Sequence, residues 1–214
     1  MKSSWKLEGL YLVVSSILPV DTLLLASEEA LRGGVDVLQV IVKQDSPEAL
    51  RLTKGLSDLA RKLKTPFLLN GSLRLARKIH VDGVHFDNHN VTPGQARRAL
   101  GGKCIVGYTV GNDTKELEWA EEAGADYVSF CSVFSTLTAE QCEIVPLETI
   151  RRARSRTALP MFAAGGIDLD NAHLVLETGV DGIAVTSAVL KAKDPEKVAI
   201  SLKQIIGSYR RNIS

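Results

Sequence analysis

The sequence predicts a (β/α)8 TIM barrel formed by one domain over residues 1–214, and three observations predict it. Short apolar, β-branched runs alternate about eight times with stretches of helical periodicity. The runs are apolar throughout rather than at every second residue, as in parallel strands covered on both faces. The last two break into small residues, Gly165-Gly166 and Thr186-Ser187, where a barrel carries its anion-binding loops. An open doubly wound sheet calls for a glycine-rich turn after the first strand. Here that turn reads Ser15-Ser16-Ile17-Leu18-Pro19.

Taken in order, residues 10–15 form the first strand, and a helix over 21–32 stops at Gly33-Gly34. The second strand covers 35–42. Ser46-Pro47-Glu48 then opens a helix over 46–64 that keeps Leu50, Leu52, Leu56 and Leu59 near one face. A third strand at 66–70 and a short helix at 72–79 follow, then a fourth strand at 83–86 and a helix opened by Thr92-Pro93. Strands at 103–109 and 126–130 bracket a helix at 113–123. After the loop 132–144 a helix spans 146–157, and strands at 160–164 and 181–185 each lead into a helix, the final one ending near residue 208.

A net charge of +1 gives no electrostatic case for nucleic acid or an anionic membrane, though one loop can still bind an anion. Cys104, Cys131 and Cys142 show neither paired spacing nor histidine partners, which argues against a disulfide framework or a zinc site. No leader-like or membrane-length apolar segment is present, so a cytoplasmic protein is expected. The run Arg151-Arg152-Ala153-Arg154-Ser155-Arg156 reads as a solvated helix end, and His80 and His173 as surface residues on helices.

Barrel sites lie at the C-terminal ends of the strands. Those ends offer Gln39 to Lys43, Asn70, His85 to Asn90, Tyr108-Thr109, Phe130 to Thr138 and the two terminal loops. Gly165 and Gly166 allow close backbone approach to a phosphate, and Thr186 and Ser187 add hydroxyls at a helix start. His85 and His89 are candidate acid–base groups near neutral pH, and Lys43 a candidate amine. Tyr108 and Phe130 are candidates to wall a ring-shaped ligand.

The succession Val35-Asp36-Val37-Leu38-Gln39, Leu68-Leu69-Asn70, Asp82-Gly83-Val84-His85, Gly124-Ala125-Asp126, Phe134-Ser135-Thr136-Leu137-Thr138, Gly165-Gly166-Ile167 and Ala184-Val185-Thr186-Ser187 resembles the thiamine phosphate synthase family, which includes the thiazole tautomerase TenI. The resemblance runs in order from Leu10 to the last helix. It implies a barrel that joins a thiazole phosphate to a hydroxymethylpyrimidine diphosphate with magnesium-assisted loss of diphosphate. It assigns Thr136, Thr138, Gly165, Gly166, Thr186 and Ser187 to the thiazole phosphate, and Gln39, Lys43, Asn70 and Thr109 to the pyrimidine side.

Four positions depart from the family pattern. Its arginine is Ile41, its two metal-binding aspartates fall on Gly71 and Asn90, and its sixth-loop lysine falls on Ala139. The histidine of the tautomerase branch falls on Gly111. The residues therefore read as a diverged member that binds a phosphorylated small molecule, thiazole phosphate or thiamine phosphate. Proton transfer or isomerisation by His85, His89 or Lys43 is the expected chemistry if it is an enzyme. The alternatives are an active thiamine phosphate synthase and a non-catalytic binding or regulatory protein. No cofactor and no metal ligand are expected, magnesium entering only with synthase activity; Asp87, Asn90 and Asp113 are the groups available to rebuild a metal site. The expected partner is a small phosphorylated ligand, with no nucleic acid and no membrane, and a homo-oligomer is left open.

Overall fold

A computed structural model of the chain describes residues 5–136 and 143–211, with side chains to Tyr209. Its strands are β1 (Gly9–Val14), β2 (Val37–Ile41), β3 (Phe67–Asn70), β4 (Gly83–Phe86), β5 (Ile105–Val110), β6 (Tyr127–Cys131), β7 (Met161–Ala164) and β8 (Gly182–Val185). Each pairs in parallel with the next, and β8 pairs with β1, closing the predicted barrel. The helices are α1 (Val20–Arg32), α2 (Pro47–Leu63), α3 (Leu73–Ala76), α4 (Pro93–Leu100), α5 (Thr114–Glu122), α6 (Leu147–Arg154), α7 (Ala172–Leu176), α8 (Ser187–Leu190) and α9 (Pro195–Arg211).

Several helices start where the capping chemistry puts them. Ser46 and Ser72 accept hydrogen bonds from Ala49 and Leu75, and Thr92 forms a reciprocal capping box with Gln95. Among the boundaries that differ from expectation, three change an element's extent or number most. α3 stops at Ala76, which leaves His80 in the following loop rather than on a helix, its carbonyl accepting from Ser57 Oγ. The final helical stretch is two helices, because Asp194 accepts from Lys197 N and so begins α9 afresh. α9 then runs on to Arg211.

The lower, N-terminal end of the barrel repeats one device four times. Asp36, Asp82, Asp126 and Asp181 precede the even strands, and their carboxylates accept from Leu10 N, Phe67 N, Val106 N and Met161 N at 2.7, 2.9, 2.8 and 2.8 Å. Each aspartate N–H returns a bond to the same residue's carbonyl at 2.8 Å, stapling an odd strand to the even strand after it. Lys203, Arg97 and Arg154 neutralise three of these carboxylates, and Trp5 Nε1 reaches Asp82. The next residue, Val37, Gly83, Tyr127 or Gly182, alternates large and small, so the bulk from β2 and β6 fills space left open by β4 and β8. Two residues further on, Gln39, His85, Ser129 and Ala184 all face the opposite mouth.

Substituting Asp126 by Ala removes the acceptor for Val106 N and strands the half-buried Arg97 guanidinium. A loss of about 3 kcal/mol in urea unfolding is expected. Asp58→Ala, which breaks only an exposed pair with Arg61, is expected to change stability by under about 0.5 kcal/mol.

Candidate functional site

Inside the barrel Tyr11, Tyr127 and Phe162 meet edge to face or tilted, with ring centroids 5.0 to 6.1 Å apart, and plug its middle. Above this plug, at the C-terminal end of the strands, a cavity opens. Its floor and walls come from alternate strand residues: Tyr11, Val13 and Ser15 of β1 and its loop, Gln39 and Ile41 of β2, Asn70 of β3, His85 of β4, Thr109 of β5, and Ser129 and Cys131 of β6.

These polar groups are joined. Tyr11 Oη lies 2.6 Å from the Gln39 amide oxygen and 2.9 Å from Tyr127 Oη. Tyr127 Oη is 2.8 Å from His85 Nδ1, and His85 Nε2 is 2.9 Å from Thr109 Oγ1. Thr109 donates to Asp87 Oδ1 at 2.6 Å, and Asn70 Nδ2 donates to Asp87 Oδ2 at 2.9 Å. Burial disfavours charge along this chain. It pushes His85 down to about 4 against the partial opposition of Asp87, and it raises both tyrosines far above the usual phenol range. His85 is therefore neutral near pH 7. Among the described lining residues Asp87 is the one formal charge, and it is exposed.

The other side of the cavity is made by the loops after β6, β7 and β8. Val133 N and Phe134 N donate to Ala164 O and Gly165 O at 2.9 and 3.1 Å, laying the β6 loop against the β7 loop. That approach needs two glycines in the left-handed region. A Cβ at Gly165 (φ 99°) would sit 1.8 Å from Ser132 Oγ, and one at Gly166 (φ 67°) 2.7 Å from Phe134 Cβ. Thr136 is thereby brought to the cavity that Gly165, Gly166, Thr186 and Ser187 line. Thr186 precedes α8 without a side-chain capping bond.

Most of the residues singled out in the sequence therefore share one cavity: Gln39, Asn70, His85, Thr109, Thr136, Gly165, Gly166, Thr186 and Ser187. Thr138 lies outside the described residues. Lys43 and His89 are exposed and do not line the cavity. His89 instead stacks on Trp119 of α5 at 3.8 Å. Asn90 is exposed and donates its N–H to Asn88, and Asp113 caps α5 by accepting from Lys115, so neither reaches the cavity. Tyr108 and Phe130 point outward into the helical layer, Tyr108 donating to Val91 O, and do not wall a ligand. Tyr11, Tyr127 and Ser129 were not singled out. Their signal was positional: Tyr11 has the strand parity of Val13, which pairs with Gln39, and Tyr127 that of Ser129, which pairs with Thr109.

Comparison with known proteins agrees with this fold. The family model described as thiamine monophosphate synthase matches residues 10–189. A thiamine-phosphate synthase of Methylococcus capsulatus is 36% identical over 206 residues, covering 95% of this chain and 92% of the relative. One of Aromatoleum aromaticum is 39% identical over 191 residues, covering 89% and 92%. The solved thiamine phosphate pyrophosphorylase of Pyrococcus furiosus superposes with a TM-score of 0.80 at 31% identity, covering 94% of this chain and 96% of that one. With the barrel, the order of its motifs and matches spanning nearly the whole chain in agreement, this protein belongs to the thiamine monophosphate synthase family.

Proposed function

We propose that the chain is a thiamine-phosphate synthase, joining a thiazole phosphate to a hydroxymethylpyrimidine diphosphate with release of diphosphate. The observation that carries this reading is the single cavity holding both the glycine-bearing phosphate loops and the polar Gln39–Asn70–Thr109 side, in a chain that aligns nearly end to end with relatives of that name. In this reading the backbone at Gly166 and the hydroxyls of Thr136, Thr186 and Ser187 hold the thiazole phosphate. Gln39, Asn70 and Thr109 orient the second ring, and Ile41 excludes water beside it.

Magnesium, which the family resemblance implies, does not fit the described donors well. A hard cation takes several oxygen ligands, preferably carboxylates. No group of three His, Cys, Asp or Glu stands together among the described residues, and both oxygens of Asp87 already accept from Asn70 and Thr109. This donor set favours a second reading, a family member that binds thiazole phosphate or thiamine phosphate without coupling.

A coupling assay with both precursors and magnesium separates the two. Turnover well above background is expected for the synthase, with Ser187→Glu and Gly166→Asp lowering kcat/KM by about 100-fold or more, since a carboxylate facing a phosphate costs several kcal/mol. A rise in melting temperature with thiamine phosphate but no turnover selects the binding reading. Neither turnover nor a shift at millimolar ligand rejects both.

A further inference from the structure

The chain from Gln39 to Asp87 contains a hydrogen count that distances alone do not display. Five contacts link Gln39, Tyr11, Tyr127, His85, Thr109 and Asp87, and each needs one hydrogen. Two phenols, one threonine hydroxyl and a neutral imidazole supply four. Two arrangements close the count. In the first, the amide nitrogen of Gln39 faces Tyr11 and every donor points the same way: Gln39 to Tyr11, Tyr11 to Tyr127, Tyr127 to His85 Nδ1, His85 Nε2–H to Thr109, and Thr109 to Asp87. In the second, the amide oxygen of Gln39 faces Tyr11, the two phenols reverse, and His85 donates from Nδ1. The His85–Thr109–Asp87 segment then carries one additional proton. A half-turn of the amide, reversal of the two phenols and uptake or loss of one proton interconvert the two with almost no change in shape.

We propose that Tyr11 and Tyr127 are positioning residues that tie the hydrogen-bonding sense of Gln39 at the cavity floor to the protonation of His85, one proton for each half-turn of the Gln39 amide. The geometry confines the coupling to this path. Both phenols are fully buried, His85 is 4% exposed, and the groups packed around its ring are Tyr127 of β6, Thr109 of β5 and Asp87 at the end of its own strand. Asp87 is the one charged group among them, with its Oδ1 3.8 Å from His85 Nε2, and being exposed it is where a proton enters from water. Burial favours the arrangement with neutral His85 at pH 7. The structure draws the amide oxygen 2.6 Å from Tyr11 Oη, which is the second arrangement; with His85 neutral the amide makes the half-turn, presents its carbonyl to the cavity and takes a ligand group that donates a hydrogen bond. A ligand offering an acceptor there must drive the half-turn and take up one proton. The inference concerns the same cavity as the proposed function and rests on that reading only for the choice of probe.

The decisive measurement is 15N NMR of the His85 ring in the ligand-free protein. At pH 7 a neutral ring protonated on Nε2 is expected, and a proton on Nδ1 overturns the proposal. Ionised, Gln39→Glu can only accept from Tyr11, so above the pH at which its carboxyl ionises it forces the reversed arrangement and is expected to raise the His85 pKa by at least about one unit. Gln39→Glu/Tyr11→Phe keeps the new charge but cuts the chain, so the rise attributable to reversal disappears. An equal rise in both variants means the charge acts through space, and the proposal fails. With thiamine phosphate as probe, heats of binding in HEPES and Tris at pH 7 report proton exchange. No uptake is expected if the His85 ring of the complex stays protonated on Nε2 alone, and one proton if the ring gains a proton on Nδ1; uptake without a proton on Nδ1 overturns the coupling. No binding heat at all counts against the proposed function, and the ligand-free spectra still decide the positioning.

Discussion

Gly107→Ala is expected to destabilise the protein by about 3 kcal/mol, the upper part of the range for overpacking a dense core. A Cβ there would stand 2.1 Å from both Cε1 and Cζ of Tyr127. The ring cannot step aside. It packs edge to face on Phe162 and against His85, and its hydroxyl is held 2.9 Å from Tyr11 and 2.8 Å from His85. Urea denaturation checks the loss, and Gly102→Ala, with open space around its Cβ, is the control expected to change stability by under about 0.5 kcal/mol. Adding Tyr127→Leu to Gly107→Ala frees room for the methyl group, so part of the loss is expected to return. Strictly additive effects of the two substitutions would show that their clash is not the cause.

Lowering the pH from 6.5 to 4 is expected to remove about 3 kcal/mol of stability through His85 alone. Its folded pKa lies near 4 and its ordinary value is 6.5, with burial the main cause. Between those two pH values the unfolded chain therefore binds more protons than the folded one, and stability rises with pH. It falls as the pH drops through the window, because the unfolded imidazole protonates while the buried one resists. Carboxylates titrate in the lower part of the same range, so the informative quantity is a difference between proteins. Unfolding free energy plotted against pH is expected to be shallower for His85→Gln than for the unchanged chain, by up to one proton between pH 4.5 and 6. Parallel curves would mean that His85 titrates normally.

Both predictions concern a part of the molecule that the residue pattern displays poorly. The alternation of strands and helices was legible because continuous apolar runs, glycine stops and proline or hydroxyl starts are local signals, and the barrel follows from many parallel crossovers. Which face of each strand turns inward was not. Strands covered on both sides are apolar on both, so Tyr108 and Phe130 looked as able to wall a ligand as Tyr11 and Tyr127. In the fold the first two join the helical layer and the second two the interior. A signal was available in the fourfold aspartate pattern. Counting three residues on from Asp36, Asp82, Asp126 and Asp181 gives Gln39, His85, Ser129 and Ala184, all on the cavity.

The candidate site divides in the same way. The loops after β7 and β8 were readable as one side of the cavity because paired glycines and a Thr-Ser helix start are contiguous in the chain. Residue type and nearness to a strand end point to His89 and Lys43, but the structure gives them other places: one stacks on Trp119 and the other is exposed. Asp87, a neighbour of both histidines in sequence, proves to be the carboxylate that ends the buried hydrogen-bond chain.

The sequence by itself determined the barrel, the order of its elements, the family and the cavity loops after β7 and β8, since each of these rests on periodicity or on residues adjacent in the chain. Tertiary structure alone decided that Tyr11, Gln39, Tyr127, His85, Thr109 and Asp87 touch in one line. These residues come from β1, β2, β6, β4 and β5 and the loop after β4, and only closure of the sheet brings them within hydrogen-bonding distance. Burial inside that closed sheet then keeps His85 neutral, which no property of its neighbours in the chain could have done.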